Sequence, residues 1–291
     1  MTSDRTIDMP GATVVYDVHG PLPPQDGRPP LMMIGQPMDA SGFAALTSHF
    51  PDRTVITYDP RGLGRSIRSD DRTDNDPEVQ AGDVHAVIAA LDAGPVELFA
   101  SSGGAVTALA LVATHPDDVT TLVAHEPPLI DVLPDADQAR AAQQATQAIY
   151  HEKGWGAAMA DFMAMTMWQG EFTDEYAAQP APDPAQFGMP TDDDGSRGDP
   201  LLSGVSNPVT DYHPDVDALN AAPTRVVIAV GIESAGVFTG RTSVATAEAL
   251  GQQAIVFPSH HGGFLGGEFG HAGEPEAFAV RLREVLDEPL A

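Results

Sequence analysis

A mostly parallel β-sheet with helices on both faces is the architecture this sequence predicts. Strand-like and helix-like segments alternate up to Val119–Ala124 and again after Ala222, the βαβα rhythm of the α/β class. The run Leu31-Met32-Met33-Ile34 is wholly apolar, as in a strand covered on both faces. A chain of 291 residues with 42% hydrophobic content can bury a sizeable core and is not a disordered chain.

Taken in order, Thr13–Val18 alternates as a half-buried strand. A Pro-rich turn, Pro21 to Pro30, leads to the strand Leu31–Ile34, and Phe43–Phe50 reads as a helix. Thr54–Tyr58 is the next strand, followed by a Gly/Arg loop from Asp59 to Ser69. Pro77–Leu91 has helical periodicity, with Val84, Val87, Ile88 and Leu91 towards one face. Pro95–Ala100 is a strand, Ala105–Thr114 a buried helix and Val119–Ala124 a strand. The rhythm then stops. Ala136–Met167 reads as helix and Thr173–Asn207, rich in Pro, Asp and Gly, as loop. Arg225–Val230 (strand), Ser243–Leu250 (helix), Ala254–Phe257 (strand) and Glu274–Leu286 (helix) complete the pattern. The expected organisation is a core of residues 1–128 and 223–291 carrying a helical insertion, 129–222.

Composition excludes several functions. There are no cysteines, so disulfides, thiolate metal sites and a cysteine nucleophile are absent. The net charge of −28 argues against nucleic acid, which needs a basic face, and against anionic membrane surfaces. The best apolar stretch, Ala105–Thr114, is far short of the roughly 20 residues that cross a bilayer. The opening MTSDRTIDMPG lacks an apolar signal core, so the expected location is cytoplasmic. Thirteen arginines accompany a single lysine, Lys153; high-salt adaptation and codon bias both produce this pattern. No metal-ligand spacing or phosphate-cradling loop occurs, so no cofactor is expected. The oligomeric state stays open, a homodimer included.

The chemistry centres on Ala100-Ser101-Ser102-Gly103-Gly104, between a strand and a helix. Small residues on either side of Ser102 suit a nucleophile elbow, a tight turn that exposes a serine at a helix N-terminus. There the helix dipole and the Gly103 N–H would stabilise an oxyanion.

With this motif the sequence resembles the α/β-hydrolase superfamily. Asp59-Pro60-Arg61-Gly62-Leu63-Gly64-Arg65-Ser66 is similar to that family's structural loop, so Asp59 and Arg61 receive no catalytic role. Ile34-Gly35-Gln36-Pro37 aligns with its oxyanion loop, with Ile34 in place of the usual His. The resemblance implies backbone donors from Gly103 and from Gln36 or Gly35. It also implies a general base in Ser259-His260-His261-Gly262-Gly263-Phe264. His261 fits better than His260, and His271 is a more distant candidate.

The acid is where the sequence departs. Gly231-Ile232-Glu233-Ser234 carries Ser234 where the family's carboxylate stands. Two substitutes offer themselves: Glu233, one residue out of register, and Glu126 in His125-Glu126-Pro127-Pro128 after the sixth strand. Together with Ser101-Ser102-Gly103-Gly104, that second segment resembles zearalenone-type lactone hydrolases, which implies Glu126 as the acid. The expectation is therefore a serine hydrolase of a small apolar ester or lactone, using Ser102, Glu126 and His261. C–C bond hydrolysis, cofactor-free haloperoxidase-like chemistry and a non-catalytic binding protein are the alternatives. Trp168, Met38 and Pro127 are candidate pocket residues. The cluster Trp155, Met159, Phe162, Met163, Met165, Met167 and Trp168 lines the pocket or forms the insertion's own core.

Overall fold

The computed structural model describes residues 2–270 and 272–288. Its sheet has the order β1-β2-β4-β3-β6-β7-β8-β9. These strands are β1 (Thr2–Met9), β2 (Ala12–His19), β3 (Leu31–Gln36), β4 (Val55–Tyr58), β6 (Val96–Ser102), β7 (Val119–His125), β8 (Arg225–Gly231) and β9 (Ile255–Phe257). A two-residue strand, β5 (Ile67–Arg68), pairs with β2. Strands β4, β3, β6, β7, β8 and β9 run parallel, while β2 runs antiparallel to its neighbours β1 and β4. Among the described residues the sheet has nine strands, where the resemblance to the α/β-hydrolase superfamily implies eight. The segment before Ala12 offers little apolar alternation and carries no strand signal of its own: Asp4, Arg5, Thr6 and Asp8 are exposed. Pairing with β2 along its whole length makes it a strand, and its charges suit an uncovered edge.

The major helices lie on the two faces. On one side α2 (Pro77–Leu91) and α3 (Gly103–Thr114) pack Val84, Val87 and Leu109 against Met32, Ile34, Leu98 and Ala100. On the other, α1 (Ala44–Ser48) and the C-terminal helix α10 (Pro275–Asp287) pack Leu46, Phe278 and Leu282 against Leu31, Met33 and Phe99. Alternate residues of β3 and β6 therefore point to opposite faces. Every residue of β3 is buried, which explains its unbroken apolar run.

Between β7 and β8 the chain forms α4 (Ala136–Lys153), α5 (Trp155–Met167), α6 (Asp174–Ala177), α7 (Asn207–Thr210) and α8 (Val216–Ala221). The helical reading of Ala136–Met167 is split at Gly154, whose φ of +84° ends α4. Helix α9 (Phe238–Ala249) begins five residues before the predicted Ser243. The expected helix from Phe43 opens with a 3₁₀ turn at Ala40–Phe43, capped by the Asp39 carboxylate on the Ser41 N–H.

The Asp59–Ser66 loop is held by charge-assisted hydrogen bonds. Asp59 accepts from the N–H of Ala40 and of Arg65, at 2.9 and 2.8 Å. Buried Arg61 grips Asp83 through Nε and Nη2 at 2.7 and 2.6 Å, a bidentate pair tying this loop to α2.

Candidate active site

The candidate residues gather at the carboxyl ends of neighbouring parallel strands, where open α/β sheets place their ligands. Ser102 ends β6 with φ +57° and ψ −128°, a sparsely populated conformation for a non-glycine residue. The helix begins at once with Gly103, so the N–H groups of its first turn have no intrahelical partner. Such a turn projects a partly accessible hydroxyl over a cluster of free N–H donors. Gly104 lets it form: a Cβ there would lie 2.7 Å from the Gly35 Cα and 2.9 Å from the Ile34 carbonyl oxygen.

Strand β3 lies alongside, with Gln36 in register with Ser102 and Gly35 with Ser101. Gly35 serves the close packing of α3. Gln36 stands level with the nucleophile candidate: a Cβ on Gly103 would meet the Gln36 carbonyl oxygen at 3.0 Å and the Gln36 Cβ at 3.2 Å.

Glu126 follows β7 with φ +51°. Its N–H donates to the Ala229 carbonyl at 3.0 Å, and its carboxylate lies over the end of β8. There Oε1 accepts the Gly231 N–H at 2.9 Å, and Oε2 accepts the Thr239 hydroxyl at 2.6 Å. His261 Nδ1 lies 2.7 Å from the same Oε2. Glu126 is fully buried. Burial pushes its carboxyl up, but the hydrogen bond and charge of His261, the nearby His125 and the Ser234 side chain together hold it well below the usual carboxylate range. An ionised Glu126 can only accept, so Nδ1 of His261 is the donor and Nε2 remains free as a base.

His261 sits in the loop after β9, and its side chain is 42% exposed. The Gly-Gly-Phe that follows anchors this loop: Phe264 is buried, stacking on Phe43 at 5.4 Å and meeting Phe99 edge-on at 5.5 Å. His260 is taken up in the turn instead, accepting the Gly262 N–H at 3.0 Å on Nδ1, with Nε2 3.3 Å from the Ala272 carbonyl. Glu233 is exposed, and its N–H donates to the Ser259 carbonyl at 2.9 Å. The structure thus brings Glu126, not Glu233, to His261. His271 lies outside the described residues.

Three groups escaped the sequence reading. Thr239 and Ser234 support Glu126, and no local pattern marks a donor from the first turn of α9 or from the vacant acid position. The third is His125, fully buried among Phe99, Phe257, Phe264 and Phe278 at 5.3–6.3 Å. Its Nδ1 lies 3.3 Å from the Ser101 hydroxyl and its Nε2 3.9 Å from Glu126 Oε1. Burial lowers its pKa to about 4, with Glu126 opposing.

The pocket candidates fall differently. Met38 lies over Gly35 and Gly42, where added Cβ atoms would collide with its side chain at 2.5 and 2.1 Å. Pro127 is buried and its carbonyl accepts the Thr242 hydroxyl at 2.7 Å. Trp168 packs edge-on against Tyr176 at 5.3 Å, joins a cluster with Ile130, Met165 and Phe172, and donates Nε1–H to the Glu171 carbonyl at 3.0 Å. Trp155 and Met159 pack on Tyr150 and Leu202, and Met167 is 64% exposed. Trp155, Met159, Phe162 and Met165 of α5 thus join that segment's own apolar clusters, because their helical spacing turns them towards α4 and the chain after it. From this segment Val209 of α7 reaches the elbow: its Cγ1 lies 3.1 Å from the Cβ position of Gly103. Cavities of about 180 and 540 Å³ lie around Tyr212 and Leu250 and around Leu133 and Arg241, the second reaching Gly231 at the end of β8. Among the described residues no helix is long and apolar enough to cross a membrane.

Residues 35–190 match the model of a family described as the alpha/beta hydrolase fold. An uncharacterized hydrolase of Bacillus subtilis is 25% identical over 286 residues, covering 98% of this chain and 96% of its own. Among solved structures, a thermophilic esterase from Thermogutta terrifontis is similar with a TM-score of 0.64 at 20% identity, over 98% of both chains. An enol-lactonase from Burkholderia xenovorans has a TM-score of 0.61 at 18% identity, over 98% of this chain and 100% of its own. These structures share the fold.

Proposed function

The chain belongs to the α/β-hydrolase fold family, and from that premise we propose that it is a serine hydrolase cleaving a carboxylic ester or lactone through an acyl-enzyme. The observation that carries this reading is the 2.7 Å bond between His261 Nδ1 and the buried Glu126 carboxylate, at the same carboxyl end of the sheet as the strained Ser102. In this reading Ser102 Oγ attacks the acyl carbon while His261 Nε2 takes its proton. The oxyanion is held by the N–H groups of Gly103 and Gln36. Collapse of the tetrahedral intermediate breaks the bond to the leaving alkoxide, which takes the proton from His261. Water, deprotonated by His261, then releases the acid and restores Ser102. Glu126 fixes the imidazole tautomer and stabilises the imidazolium. Residues 129–222 are the cap of this reading, with Val209 over the elbow.

The lactone arm rests on the His125-Glu126-Pro127-Pro128 resemblance, with Ser234 where a carboxylate would otherwise stand. The test is hydrolysis of p-nitrophenyl esters and of aliphatic and aromatic lactones, with fluorophosphonate labelling alongside. Ser102→Ala is expected to abolish labelling and turnover, and Glu126→Gln to lower kcat about 10³–10⁴-fold. Unchanged turnover by Ser102→Ala would remove the nucleophile assignment. Wild-type rates in Glu126→Gln would move the acid to another carboxylate. A wild-type protein that neither labels nor hydrolyses would be a binding protein.

A further inference from the structure

Gln36 is 3% exposed, and neither its Nε2 nor its Oε1 has a hydrogen-bond partner. A buried carboxamide with both ends unsatisfied is costly, and native structures contain few. This one does not lie in an arbitrary part of the core. It closes β3, in register with Ser102. Strand alternation sends its side chain to the face shared by Met32 and Ile34, which is also the face of Leu98, Ala100 and, by the same period, Ser102. Its Cβ adjoins Gly103, and Val209 meets the same point. An unsatisfied donor and an unsatisfied acceptor therefore sit beside the elbow, under a residue of the 129–222 segment.

We propose that the Gln36 carboxamide reads the acyl group of the substrate, a specificity-determining role that rests on the serine-hydrolase reading above. An NH₂ group and a C=O left open together select a partner that both accepts and donates. A hydroxyl does so, as does a primary or secondary amide. The substrate class is accordingly an ester or lactone whose acyl part carries a hydroxyl or amide at the position α or β to the scissile carbonyl, rather than a plain alkanoate. Desolvation sharpens the selection: a plain acyl chain would leave both ends of the carboxamide unpaired in a closed site.

The experiment compares kcat/KM for p-nitrophenyl butyrate with that for its 2-hydroxy and 3-hydroxy counterparts, in the wild type and in Gln36→Met. Methionine keeps the side chain's length and removes its polar ends. The wild type is expected to favour at least one hydroxylated ester by about 10–100-fold, and Gln36→Met to bring that ratio to near one. The variant should also melt at higher temperature than the wild type, because an unpaired amide has been replaced by an apolar group; an amide with a purely structural role would lower the melting temperature when removed. A wild-type ratio near one overturns the proposal whatever the variant does, and so does a ratio that Gln36→Met leaves intact. Failure of the serine-hydrolase reading looks different: fluorophosphonate labelling is then absent, or turnover survives Ser102→Ala.

Discussion

Two side chains at the site illustrate opposite uses of burial. Glu126 is buried and charged, which is tolerable because Gly231, Thr239 and His261 all direct donors at it. Its neighbour His125 is buried and neutral, with a pKa lowered to about 4 by burial. Between pH 6.5 and about 4 the unfolded chain protonates this imidazole and the folded chain does not, so stability falls as pH drops through that window. The loss at the acid end is up to about 3 kcal/mol. Glu126 acts lower on the scale: its depressed carboxyl stabilises the fold above the ordinary glutamate range, and that contribution fades as pH falls further. Urea unfolding at a series of pH values should show a shallower slope from pH 6.5 to 4 in His125→Gln than in the wild type. Identical slopes would mean that His125 titrates alike in both states.

The β6–α3 turn couples backbone geometry to chemistry at the level of the element. Helix α3 can start against β3 only because Gly104 lacks a Cβ, with Gly35 and Ile34 backbone atoms within 2.9 Å of where one would stand. Backbone cannot rotate away as a flexible side chain would. Gly104→Ala is therefore expected to cost about 1–3 kcal/mol. It should also lower kcat more than it raises KM, since it displaces the donors of the first helical turn from Ser102. Thermal melts and steady-state kinetics check both effects, and an unchanged melt would refute the close approach. The turn was legible because small residues around a serine between strand and helix form a local pattern. The helical insertion was legible as helix but not as a pocket: its spacing marks a buried stripe without saying what covers it. Trp168 turns to Tyr176 and Phe172 for that reason.

For the whole molecule, charge is the governing feature. Forty-two acidic residues face fourteen basic ones, and the arginines Arg53, Arg61, Arg65 and Arg241 are already engaged with carboxylates. Most acidic residues thus repel one another over the surface, and mobile ions screen that repulsion beyond about 10 Å at 0.1 M salt. Raising NaCl from low concentration to 1 M is expected to raise the melting temperature. Each 1 kcal/mol of relieved repulsion is worth about 2–4 °C for a domain somewhat smaller than this one. A falling melting temperature would mean that the paired arginines outweigh the unpaired carboxylates.

Read alone, the amino-acid sequence is enough for the main strands and helices from β2 to β7 and from β8 to α10, the elbow at Ser102 and the loop bearing His261, because each is written in a local period, a turn or a short motif; the short β5, α6, α7 and α8, in stretches that read as loop or carry no period, are not legible in it. It also reduced the acid to Glu126 or Glu233. Only the tertiary structure brought one of these to His261, across 135 residues of chain, since that choice depends on how β7, β8 and β9 stack side by side. The same holds for β1, whose charged sequence becomes a strand only when β2 supplies its hydrogen bonds. It holds equally for Gln36, whose unsatisfied carboxamide appears only once β3 is buried beside β6. Periodicity is a property of neighbours along the chain; satisfaction of a polar group is a property of neighbours in space.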